Sequence, residues 1–168
     1  MGNIQSLTTI GAIALFSLIS IRFNATVLEN TTVEVQNKVY LTAFSLADDL
    51  LEEIKQKAFD EQTVVFRSIN PEELTPLNQF APQFRDPGET SNPLTWDDID
   101  DYNGYSKDIS LPHAEGFHVA STVTYVSAAN PDQNSSTQTF FKRVQISVTS
   151  PYLSHTVTLS FVFTLHSK

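Results

Sequence analysis

The sequence predicts an α+β fold: a long N-terminal α-helix, apolar in its first half, packed through its second half against a C-terminal antiparallel β-sheet. Three observations predict it. The first 21 residues carry no charged side chain, and no proline occurs before Pro71. Residues 61–115 hold six of the eight prolines, with 11 acidic residues against three basic ones. Residues 116–168 carry one acidic residue and alternate apolar with hydroxyl side chains. The chain of 168 residues therefore divides into a helix (1–60, with 1–23 apolar), an acidic irregular region (61–115) and a β-meander (116–168). The net charge of −9 excludes a phosphate-backbone partner, so no nucleic acid is expected. The absence of cysteine excludes disulfides and Cys-ligated zinc.

The N-terminal run is IQSLTTIGAIALFSLISI, Ile4 to Ile21, closed by Arg22. At a rise of about 1.5 Å per residue it spans roughly 27 Å, near the thickness of a hydrocarbon core. Gln5, Ser6, Thr8, Thr9, Ser17 and Ser20 interrupt it, and such small hydroxyl residues let membrane helices approach closely. The leading Met-Gly-Asn-Ile-Gln has no basic residue, unlike a cleavable secretory signal. Three readings compete: a cleavable secretory signal, which the missing charge disfavours, a membrane anchor, and a helix that leaves the bilayer to pack against copies of itself. In the last, Ile4, Gln5, Leu7, Ile10, Ile13, Leu15, Phe16, Leu18, Ile21, Arg22 and Phe23 form the self-association surface. Burial of such a surface at about 25 cal/mol per Å² is a large driving force for assembly.

The helix is expected to continue to about Phe59, because residues 23–60 contain neither Pro nor Gly. Val33, Asn37, Tyr40, Phe44, Ala47, Leu51, Ile54 and Ala58 recur at steps of three and four, which places them on one stripe. Val39, Leu46 and Leu50 widen it. Glu34 with Lys38, and Glu53 with Lys57, are i,i+4 pairs in the favourable order. Asn24 to Val35 is rich in mediocre helix formers, so a bend is expected there.

Three strands are expected. Phe117, Val119, Ser121, Val123 and Tyr125 share one face of the first. Phe140, Val144, Ile146 and Val148 share a face of the second, with Lys142 in step. His155, Val157, Leu159, Phe161, Phe163 and Leu165 alternate with Thr156, Thr158, Ser160, Val162, Thr164 and His166 in the third. Period two with one hydroxyl-rich face predicts a sheet covered on one side. Ala129–Ser136 is the first loop, Ser150-Pro151 the second turn, and the helix stripe is the cover.

Four stretches together resemble the type IV pilin-like proteins, the group of minor pilins and type II secretion pseudopilins. They are the apolar run continuing into an amphipathic helix, LADDLLEEIKQKAFDE (Leu46 to Glu61), WDDIDDYNGYS (Trp96 to Ser106) and FKRVQISVTSPYLSHTVTLSFVF (Phe141 to Phe163). The resemblance implies a structural subunit of an extracellular filament on a bacterial cell surface. It implies insertion in the inner membrane through the apolar helix, then extrusion by the membrane assembly machinery into a helical bundle of copies of itself. A non-polymerising minor pilin, or an anchored calcium-dependent adhesion module, is the alternative. Gln5 stands where the family carries a glutamate, and Arg22 where it often carries a helix-breaking proline. Either processing has exposed Met1, or this is a branch without the usual cleavage.

Asp97, Asp98, Asp100 and Asp101 lie within five residues, followed by Asn103 and Gly104. Carboxylates this close repel, and a hard cation such as calcium would relieve them. The spacing does not fit an EF-hand. The alternative is a solvated acidic turn, with aspartates capping backbone groups and Gly104 in a left-handed conformation. Asn24, Asn30 and Asn134 open glycosylation triplets, of which Asn134 lies on an expected loop. His113, His118, His155 and His166 lack metal-ligand spacing, and His155 is expected on the apolar strand face. No phosphate loop or nucleophile motif occurs, so no enzymatic activity is expected.

Overall fold

The computed structural model describes residues 2–65, 70–82, 86, 88–112 and 114–165. It is an α+β fold, with a long N-terminal helix packed against a four-stranded antiparallel sheet. The chain divides into two compact units, Met1–Val39 and Tyr40–Lys168. Helix α1 spans Gly2–Ile54 and α2 spans Glu61–Val65. Strands β1 (Ser106–Leu111), β2 (Ala114–Tyr125), β3 (Phe141–Thr149) and β4 (Val157–Thr164) follow, in the sheet order β1-β2-β3-β4.

In the first unit the expected bend does not occur: Asn24 to Val35 is regular helix. The hydroxyls of Thr26, Thr31 and Thr32 donate to carbonyls one turn back, at 2.9–3.1 Å, so these residues satisfy their polar atoms within the helix. The Glu34–Lys38 pair forms at 2.7 Å.

In the second unit the helix stops at Ile54, not Phe59. Gln56 and Lys57 donate to carbonyls three residues back, which tightens the last turn. Ala58 then leaves the helix, because its N–H donates to Asp97 O (2.9 Å) and its carbonyl accepts from Ile99 N–H (3.0 Å). Two tertiary hydrogen bonds thus override a sequence that could have continued as helix. The expected Glu53–Lys57 pair does not form. Lys57 donates to Trp96 O, and Glu53 accepts from the Tyr102 hydroxyl.

The covered helix face is rotated from the predicted stripe. Ala43, Ala47, Leu50, Leu51 and Ile54 are buried, whereas Tyr40 and Phe44 are exposed. The small side chains of Ala43 and Ala47, both fully buried, let this face seat close to its cover. On the sheet, Phe117, Val119, Ser121, Val123 and Tyr125 of β2 are all buried, as predicted. Val144, Ile146 and Val148 of β3 and Val157 of β4 continue the layer. Lys55 sits 4.9 Å from the Phe161 ring at the edge of this layer.

Strand β1 lies in the region expected to be irregular, and β2 begins before Phe117. Ser106, Lys107 and Asp108 are exposed on an edge strand, which carries no apolar alternation for a sequence reading to find. His155 is exposed in the turn before β4, not on the apolar face. Among the described residues, the acidic region also holds four 3₁₀ turns, Pro71–Glu73, Leu77–Gln79, Pro93–Thr95 and Asp100–Tyr102.

Candidate functional site

Two places carry the predicted functional residues. The first is the helix of the N-terminal unit. Ile4, Leu7, Ile10, Ile13, Leu15, Phe16, Leu18, Ile21 and Phe23 are each between 60% and 74% exposed. Gln5 and Arg22 are exposed among them. Four of the six polar residues that interrupt the run turn their hydroxyls onto the helix itself. Ser6 donates to Gly2 O, Thr8 and Thr9 to Gln5 O, and Ser17 to Ile13 O, at 2.8–3.0 Å. What the helix presents outward is therefore more apolar than its composition, because these donors need no water. Among the described residues, α1 is the helix long and apolar enough to cross a membrane. Exposed apolar residues do not end with that segment: Val27, Leu28, Val33 and Val35 are 46–68% exposed beyond Arg22.

The second place is the acidic loop. Asp97 is exposed, but Asp98, Asp100 and Asp101 are buried, so the loop is not a solvated turn. Its backbone folds around its own carboxylates. Asp98 Oδ1 accepts from the N–H groups of Asp100 and Asp101, at 2.7 and 3.2 Å. Asp101 Oδ2 accepts from those of Asp97 and Asp98. Asn103 donates to Ala81 O (2.6 Å) and accepts from Val123 N–H (3.0 Å), so both ends of its amide join the loop to its neighbours. Gly104 is left-handed as expected, at φ +72°, and a Cβ there would lie 2.8 Å from Pro82 Cδ. Trp96, Tyr102 and Tyr105 stack edge to face beside it.

The cation among these carboxylates is Lys142. Its position in step with the apolar face of β3 carries it into the core, where it is fully buried. Its Nζ donates to Asp60 Oδ2 (2.7 Å), to Phe59 O (2.8 Å) and to Asp100 Oδ1. The rings of Phe59, Phe80 and Tyr125 surround it at 4.7, 5.0 and 5.2 Å. Asp60 also accepts from Gln62 N–H, from the N–H and hydroxyl of Thr75, and from the Tyr125 hydroxyl.

Burial opposes ionisation of Asp60, Glu61, Asp98, Asp100 and Asp101, and their neighbours decide the outcome. Burial would raise Asp60, but the Lys142 charge and hydrogen bonds outweigh it and hold that carboxyl below its ordinary range. Asp98 is pushed up to about 7 by burial, against the pull of Lys142. Asp101 is pushed up to about 8 by burial, a hydrogen bond with Glu89 and the charge of Asp98. Asp100 also lies well above the ordinary range, through burial. Glu61 is raised to about 7 by burial and by Asp86, Asp97, Asp98 and Glu89.

Among the described residues, Asp101 is the one of the five sequence-predicted cation ligands that falls in a group of three carboxylates with oxygens within 4.8 Å of one another, with Asp86 and Glu89. Asp60, Tyr125 and Lys142 were not among the predicted site residues. The one sequence signal for them is a lysine at an inward position of an alternating strand.

Asn134 is exposed in the β2–β3 loop, where its side-chain oxygen accepts from Arg143. Asn24 lies on α1 and donates to Ser20 O. His118 pairs with Asp108 across β1 and β2 at 2.7 Å, exposed. His113 and His166 lie outside the described residues. Comparison of the chain with protein-family models, with curated proteins and with solved structures finds no match.

Proposed function

We propose that the chain is a structural subunit of an extracellular type IV pilus-like filament, assembled from copies of itself through the apolar half of α1. The observation that carries this reading is apolar exposure on both sides of Arg22. A bilayer would cover Ile4 to Ile21, a run of membrane length. It would not cover Val27, Leu28, Val33 and Val35, which lie among Glu29, Glu34 and Lys38. Neighbouring helices of the same kind would cover both segments, and the inward-turned hydroxyls would let them approach closely. Transient residence in an inner membrane, before extrusion by its assembly machinery, is the matching origin for such a helix.

Negative-stain microscopy of material sheared from cells that express the chain, with an antibody against the sheet unit, tests the proposal. Label along the length of filaments is expected. Label confined to filament tips would replace the major subunit with a minor pilin, and label on membranes alone would overturn the proposal.

A further inference from the structure

We propose that Lys142 Nζ and the Asp100 carboxyl condense into an intramolecular isopeptide bond that ties β3 to the acidic loop. The reactants are already in contact. Lys142 is fully buried, its ion pairs among the described residues are with Asp60 and Asp100, and three aromatic rings wall the site. Holding an amine against a carboxyl in this way replaces a bimolecular encounter with an intramolecular one, an advantage of about 10⁵–10⁸ M in effective concentration for well-oriented groups.

The two carboxyls facing Lys142 are held differently, and this assigns their parts. Asp60 has donors from Gln62, Thr75 and Tyr125 besides Lys142, so it keeps its partners after the lysine charge is gone. Asp100 Oδ2 is buried with no hydrogen-bond partner among the described residues. Asp100 is therefore the acyl group, and Asp60 the proton carrier. A proton passes from the Lys142 ammonium to Asp100 Oδ1, the oxygen it touches. The neutral amine attacks Asp100 Cγ, Asp60 Oδ2 takes a proton from the nitrogen, and that proton returns to the departing Oδ1 hydroxyl. The Nζ–Cγ bond forms, the Cγ–Oδ1 bond breaks, Oδ2 stays as the amide carbonyl, and one water leaves for bulk solvent. No oxidant or co-reactant is needed. One positive and one negative charge disappear from a dry core, where each is costly to hold.

The inference stands whether or not the chain polymerises. Its test is the intact mass of the purified, folded full-length chain, followed by tryptic mapping. The expected mass is one water below the sequence mass, with Lys142 resistant to trypsin and its peptide joined to the one that contains Asp100. Lys142→Arg and Asp100→Ala are each expected to restore the full mass. Asp60→Asn keeps both reactants and is expected to slow the bond severalfold. An unmodified wild-type mass overturns the proposal, as does a water loss mapped to an imide within one peptide.

Discussion

The two halves of helix α1 show what a covering surface changes. Every residue from Gly2 to Lys38 is exposed, although the run is the most apolar in the chain. From Ala43 to Ile54 the same helix buries one face completely at three positions, Ala43, Ala47 and Ile54. Helix formation is common to both halves, so local propensity does not distinguish them. The second half has a sheet to lie on, and in the first half the same kind of side chain has no cover within its own unit. The first half is thus an uncovered apolar surface, and the second is a core.

The largest expected effect separates the halves by charge. Ile13→Asp should abolish assembly into sedimenting polymers, while circular dichroism melting of the sheet unit stays unchanged. Loss of head stability in that variant would show that the halves are not independent. Next comes Lys142→Met, which removes the nitrogen that Asp60 and Asp100 share, whether that nitrogen is paired with Asp100 or bonded to it. It should cost about 3–5 kcal/mol in denaturant unfolding, because both carboxyls are then left buried without it. A matched pair of truncations sharpens the comparison further. Ile54→Ala should cost about 2–5 kcal/mol, whereas Ile13→Ala should stay within about 0.5 kcal/mol, both by chemical denaturation.

A further expected effect is that of pH. Asp98 and Asp101 are raised, so their contribution is present below the ordinary carboxylate range and is lost as pH rises through about 7 to 8. Asp60 is lowered, so its contribution is present above that range and is lost in strong acid. The melting temperature of the sheet unit should therefore fall from about pH 5 to about pH 9, measured by calorimetry. A flat profile would mean that the loop is more open to water than its burial indicates.

Much of this fold is legible in the sequence, and the failures have physical causes. The period-two run from Phe117 to Tyr125 specifies its buried face because a one-residue slip would turn every side chain over. Gly104 is legible because few other residues tolerate its backbone. Strand β1 is not, because an exposed edge strand needs no apolar alternation. The end of α1 is not, because Ala58 is captured by the backbone of Asp97 and Ile99, about 40 residues away. The acidic loop misleads most. Four aspartates in five residues read as solvated until Lys142 is placed against them, 42 residues from Asp100 and 82 from Asp60. A lysine in register with valines and an isoleucine on a strand face is the clue, and it points to a buried carboxylate without saying which.

Sedimentation velocity of the purified full-length chain, transferred from detergent into detergent-free buffer, tests the central claim most directly. Long polymers that pellet, and that show regular filaments when imaged, are the predicted result. A slowly sedimenting monomer that keeps its apolar helix in water would contradict it.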